Sequence, residues 1–259
     1  MVQWALFWGC MLTAFAPISF LFFTVVAQRA QLVILSITAA FFYLLGLLVA
    51  ATLWTVIPPL HDSIHATIPV AILVQELFRY AFFVVYIRCE QAVKRVTTKQ
   101  NQLPLNDLTS SFGIIFSSSH LHCMEVAHGI HVASGVGFAL MRALMMYGTV
   151  LASSLAGEGA SFTATCPQIP LVFASALSTL ALTLLDVALM VLAFEGYRKR
   201  SAAHIVAVVL LHLGSGLSNM LNLNEVGCSA SIPLTYVAAS LAVVAATLSV
   251  KRASSSFAS

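Results

Sequence analysis

Residues 67–87 read TIPVAILVQELFRYAFFVVYI. An α-helix needs about 20 mostly apolar residues to cross a bilayer, and this stretch has that length and composition. It also holds Gln75, Glu76 and Arg79 in its middle. A charge at mid-membrane costs on the order of several kcal/mol unless it is partnered. Glu76 and Arg79 are three residues apart and so are neighbours on one helical face. Pairing them removes much of that cost. The plain reading is an internal ion pair that fixes helix packing; the sharper alternative is a catalytic or ion-conducting carboxylate.

Six further stretches share that character: residues 4–27, 32–57, 122–147, 170–194, 202–221 and 232–250. With 67–87 they predict an all-α integral membrane protein, a bundle of seven transmembrane helices forming a single domain over residues 1–259. Composition agrees. The chain is 60% hydrophobic and 8% charged, against roughly 25% charged in a soluble domain, and its mean hydropathy is +0.96. The net charge of +3 is small and no basic patch interleaves with aromatics, so the expected partner is the lipid bilayer and not nucleic acid. The five cysteines form no CxxC pair, which argues against a zinc module or a redox motif. The N-terminal residues lack a basic leader region and a small-residue cleavage site, so they read as a retained first span. No N-x-[ST] sequon occurs. In the longest connection, polar from Glu90 to Asp107, the run FGIIF at 112–116 reads as a short interfacial helix.

Orientation follows from where Lys and Arg fall. Arg29 lies between the first two spans. Arg88, Lys94, Arg95 and Lys99 lie between the third and fourth, Arg198, Lys199 and Arg200 between the fifth and sixth, and Lys251 and Arg252 after the seventh. The alternate loops, 58–65, 153–169 and 222–231, contain neither residue. The N-terminus is therefore expected on the lumenal or extracellular side and the C-terminus in the cytosol. This topology puts Cys166 and Cys228 in two lumenal loops, where disulfides persist. The expectation is that they pair; two free thiols are the alternative.

The fourth span opens with His120, His122, Glu125, His128 and His131. Such a spacing can put imidazoles and a carboxylate on one face, as a metal site needs, but spacing alone shows no convergence and no metal is assigned. Gly129, Ala133 and Gly137 then recur every four residues as one smooth stripe. Small-xxx-small stripes let another helix approach closely, where dispersion replaces the missing hydrophobic drive. Asp186 and His212 lie at similar depths on either side of the basic turn at 198–200. An Asp–His hydrogen bond between antiparallel neighbours is the expectation, as a packing clamp or, more sharply, a proton relay.

Together these residues resemble the Aph (anterior-pharynx-defective) subunit family of gamma-secretase. Phe7-Trp8-Gly9-Cys10 with Phe15 and Pro17 resembles the family's opening run, and Phe41-Phe42 with Leu44, Leu47, Leu48 and Trp54 its second helix. Gln75-Glu76-Leu77-Phe78-Arg79 is similar to the family's QExFR. Gly129, Ala133 and Gly137 fall on its GxxxGxxxG stripe, Phe194-Glu195 through Arg200 on its acidic-to-basic turn, and His212 with Ser215-Gly216-Leu217 on its H…SGL helix. Ala133 replaces the middle glycine, and Asp186 stands where the family carries a first membrane histidine, so the chain resembles a divergent member of the family.

The resemblance implies a non-catalytic scaffold in an intramembrane aspartyl protease. Its implied partners are a presenilin-like protease, a nicastrin-like glycoprotein and a small presenilin-enhancer-like subunit. Assembly falls to Gly129, Ala133 and Gly137; Glu76, Arg79, Asp186 and His212 have a structural polar role. No cofactor is implied. The implied setting is a multi-pass protein of the endoplasmic reticulum and Golgi, with the plasma membrane a further compartment, acting in protein processing and Notch signalling.

Three other classes fit less well. A membrane metalloprotease of the prenyl-protein-processing kind, using Glu76 and membrane histidines, is the alternative; Gln75 stands where its second Glu is expected. A seven-span receptor carries a contiguous acidic-Arg-Tyr triplet, whereas Glu76 and Arg79 are split. A transporter normally shows internal repeats, and none is visible. The chain itself has no GxGD motif, and Asp186 is its sole membrane aspartate.

Overall fold

The structure, a computed structural model, describes residues 4–100, 120–156, 162, 165–223 and 227–258, with the backbone alone at 94, 96–100, 120–128, 154–156 and 253–258. Among the described residues it is helical without strands. The helices are α1 (Trp4–Leu21), continued by a π-helical turn (Phe22–Val26), α2 (Ala30–Val56), a short α3 (Pro58–Asp62) and α4 (Ile64–Gln100). Then follow α5 (His120–Ala156), α6 (Leu171–Lys199), α7 (Ala202–Met220), a 3-10 turn (Leu221–Leu223) and α8 (Cys228–Ala258). Seven of them are long and apolar enough to cross a membrane.

Local chemistry explains the breaks. A residue before proline is driven out of the α region, and Ile57, before Pro58, is extended at φ −103°, ψ 105°. Pro58 then starts α3, where its missing N–H costs nothing. Arg200 closes α6 in the left-handed region at φ 50°, ψ 36°, its amide reaching back to Gly196 and Tyr197 carbonyls. The interfacial helix expected at 112–116 lies outside the described residues. Elsewhere the helices outrun the spans read from hydropathy. α4 continues past Ile87 to Gln100, because Glu, Gln, Ala and Lys sustain a helix in water as well as in lipid.

α5 and α6 form the centre and share the largest interface. α2 packs on α5, α8 on α6 and α7, α4 on α2 and α7, and α1 on both central helices. α6 is the most enclosed span, with 72% of its most apolar window buried. The outer helices instead expose large apolar side chains, among them Phe20, Ile37 and Leu210, as a lipid-facing surface requires.

Glycine sets the spacing around α5. A methyl group at Gly137 would overlap the Ser36 carbonyl of α2 and lie 3.1 Å from Ala39 Cβ. One at Gly135 would sit 2.9 Å from Val187 Cα of α6. α5 is thus held at backbone contact on two faces at once. At one end of the bundle Cys166 and Cys228 are joined by a disulfide with Cα atoms 5.6 Å apart. The Cys228 amide also donates to the Thr165 carbonyl at 3.2 Å, so the entries to α6 and α8 are tied twice.

Candidate functional site: a buried charge cluster

Four helices send polar side chains to one buried layer. α4 supplies Gln75, Glu76 and Arg79, α5 supplies Arg142, α6 supplies Asp186 and α7 supplies His212, and all six are buried. Helical spacing places Glu76 and Arg79 one above the other, and Arg79 Nη1 donates to Glu76 Oε1. Arg79 Nη2 reaches across to Asp186 Oδ1 at 3.1 Å.

Arg142 binds the same aspartate from the other side. Its Nε donates to Asp186 Oδ2 and its Nη2 to Asp186 Oδ1 at 3.3 Å, the forked geometry that makes arginine–carboxylate pairs strong. The same Nη2 lies 3.1 Å from Gln75 Oε1 and 3.1 Å from His212 Nε2, so its two protons serve three acceptors. His212 Nδ1 is 2.5 Å from Glu76 Oε1. A carboxylate only accepts and a guanidinium only donates. The histidine between them is therefore neutral, with its proton on Nδ1. Two arginines and two carboxylates then cancel. Each guanidinium also lies over an aromatic face, Arg79 at 5.6 Å from Phe138 and Arg142 at 5.7 Å from Tyr43, a contact that strengthens where water is excluded.

A cavity of about 540 Å³ leads to this layer. Gln75, Arg142 and His212 form its polar end, Ser175, Ser178 and Ser215 line its wall, and Cys166 and Cys228 border it.

Several sequence expectations meet here and some change. Glu76 and Arg79 pair. Asp186 and His212 reach the same layer, but Arg142 stands between them, so the direct Asp–His hydrogen bond is replaced by a bridge. Arg142 is the residue that sequence reading misses. It was legible as a lone cation within the apolar run MRALMMY, which demands a carboxylate on a neighbouring helix. The stripe Gly129, Ala133 and Gly137 faces α2 of the same chain: Ala133 is fully buried, and a Cβ at Gly129 would meet Leu32 Cδ1 at 3.5 Å. Gly135, off the stripe, matters as much, because it admits α6.

Of the histidines opening the fourth span, the side chains of His120, His122, Glu125 and His128 lie outside the described residues. His131 is buried and lies tilted against Phe194, with ring centres 4.9 Å apart. Among the described residues, no three His, Cys, Asp or Glu side chains converge as a metal site. The metalloprotease alternative fails on geometry: the Glu76 oxygen that pairs is held by Arg79 and His212, and the guanidinium of Arg142 beside His212 repels a metal cation.

The chain matches the family described as Aph-1 protein over residues 5–253. It is similar to a gamma-secretase subunit APH1-like of Arabidopsis thaliana, with 27% identity over 242 residues covering 91% of this chain and 89% of the relative. It is also similar to gamma-secretase subunit Aph-1 of Drosophila melanogaster, 27% identical over 85% of this chain and 82% of the relative. The human gamma-secretase subunit APH-1B is 24% identical over 81% of this chain and 76% of its own length. Matched from its first span to the end of its last, with Gln75, Glu76 and Arg79 of its QELFR run in its buried cluster, the chain belongs to the Aph-1 family.

Proposed function

We propose that this chain is a non-catalytic scaffold subunit of a gamma-secretase-type intramembrane aspartyl protease complex. Membership of the Aph-1 family over nearly the whole chain carries the reading. The site geometry supports it. An aspartyl protease needs two carboxyl groups that face a substrate, whereas Glu76 and Asp186 are each bound by arginine within the bundle. Such a cluster locks four helices in register and leaves their outer faces to partners.

The partners proposed are a presenilin-like aspartyl protease, a nicastrin-like glycoprotein and a small presenilin-enhancer-like subunit. The N-terminus is proposed to be lumenal and the C-terminus cytosolic, on the alternation of basic residues, in membranes of the endoplasmic reticulum and Golgi. Gly129, Ala133 and Gly137 serve assembly indirectly, by fixing α2 against α5 so that the outer face of α2 is presented in one position.

The test is affinity purification of the C-terminally tagged chain in mild detergent, with mass spectrometry of what accompanies it. Stoichiometric recovery of an intramembrane aspartyl protease and a large single-span glycoprotein is expected. A chain that purifies alone, intact and monodisperse, refutes the scaffold role.

A further inference from the structure

A second cleft, of about 280 Å³, runs between α2 and α4 at the end of the bundle where Arg29 lies. Its walls are apolar: Leu32, Leu35 and Thr38 from α2, Phe82 and Val85 from α4, and Ile130 of α5 at the back. Phe82 is 1% exposed and closes the floor, while Ile34 at 62% and Val85 at 40% flank a side that opens on the outside of the bundle. From Arg29 to Thr38 is nine residues, or about 14 Å along a helix, which is close to one leaflet of a hydrocarbon core about 30 Å thick.

The polar end is positively biased. Glu90 lines the mouth, but Arg198 lies 3.4 Å from its carboxylate. Arg29 has no ion-pair partner among the described residues, and Gln31 adds an amide beside it. An apolar wall with an unopposed cation at one end matches an acyl chain that ends in an anionic headgroup. A single acyl chain fits.

We infer that the α2–α4 cleft is a binding site for one anionic phospholipid, its acyl chain lying between Leu32, Leu35, Phe82 and Val85 and its net negative headgroup against Arg29. The inference rests on the seven-span reading and on Arg29 lying at the cytosolic face, where anionic lipids concentrate. It does not depend on the assembly role. It also gives the exposed thiol of Cys89, which lines the cleft, a built-in reporter position.

The experiment is native mass spectrometry of the full-length chain, with whatever subunits accompany it, purified from nanodiscs of phosphatidylcholine and phosphatidylserine in equal amounts. Maleimide labelling of Cys89 is read by peptide mapping in parallel. One retained phosphatidylserine per chain is expected, with slower Cys89 labelling than in pure phosphatidylcholine. Arg29→Gln should lower the preference for phosphatidylserine about tenfold, the factor carried by one charge-assisted hydrogen bond. Val85→Trp, at a partly exposed position that tolerates bulk, should lower retention of both lipids. Equal retention in all three proteins, with unchanged Cys89 labelling, means annular lipid only and overturns the site. Cross-linking of Cys89 to a co-purifying protein in place of lipid overturns it as well.

Discussion

Arg142 and Asp186 meet side-on across the interface of α5 and α6, two nitrogens of one against both oxygens of the other. Arg79 approaches the same carboxylate, so Asp186 alone holds two guanidinium groups in the bundle interior. Asp186→Asn therefore leaves a net positive charge there. Breaking a buried ion pair costs about 3–5 kcal/mol, and thermal unfolding in detergent should show a loss of that order. Asp186→His should cost as much while Arg142 remains. Adding Arg142→Gln to Asp186→Asn restores neutrality and should recover most of the midpoint. A double variant no more stable than the single one would falsify the coupling.

His212 bridges an acceptor and a donor, and a substituent should be judged by whether it does the same. Glutamine offers an amide N–H to Glu76 and a carbonyl to Arg142, so His212→Gln is expected to cost about 1 kcal/mol, the net worth of a typical hydrogen bond. His212→Lys places a cation against Arg142 and should cost several times more. Denaturation midpoints of the two variants in one detergent check the order; equal losses would show that the hydrogen-bond pattern is immaterial.

Two glycines of the same stripe should respond differently to alanine. A Cβ at Gly129 makes ordinary contact with Leu32 Cδ1 at 3.5 Å, whereas one at Gly137 collides with the Ser36 carbonyl. Forcing atoms into a packed core costs about 1–3 kcal/mol, so Gly137→Ala should lower stability and complex yield while Gly129→Ala leaves both near wild type. Co-purification yield against fluorescence-detected thermal midpoint separates the two substitutions. Similar behaviour would contradict the placement of α2.

The bond between Cys166 and Cys228 spans 62 residues of sequence. A loop of that length gives about 4 kcal/mol in the chain-entropy account, and inserted helices restrain the unfolded chain enough to reduce this. The paired Cys166→Ser and Cys228→Ser variant should melt several degrees lower than wild type, and alkylation without prior reduction should leave both cysteines unmodified in the wild type. Immediate labelling of both thiols in native membranes would refute the pairing.

Much of this was legible because lipid enforces a simple grammar. Seven long apolar runs could be nothing but helices, and Glu76 and Arg79 betrayed themselves by being charged in such a run. Two things escaped. Arg142 was overlooked because its span is otherwise small and apolar, and its two carboxylate-facing nitrogens depend on α6 arriving from elsewhere in sequence. The stripe at Gly129, Ala133 and Gly137 announced close approach without naming the approaching helix; periodicity marks a face, and only the tertiary arrangement shows that α2 occupies it. The helices run past the expected spans for a related reason, since hydropathy marks where lipid stops and not where hydrogen bonding stops.

The charge cluster has a consequence for how the chain is made. α4 reaches the membrane already neutral, since Glu76 and Arg79 sit on the same helix. α5 carries Arg142 with no acidic residue within a helical turn of it, and α6 carries Asp186 with no basic residue within a turn. Each alone is a poor candidate to leave the insertion machinery for lipid, because an unopposed charge at mid-depth costs about 3 kcal/mol on insertion scales. The two helices follow one another in synthesis, so the nascent chain can release them as a hairpin whose charges meet on entry. A copy in which α6 is truncated or misthreaded keeps a bare guanidinium in hydrocarbon, a mark by which quality control can recognise it before any other subunit is encountered.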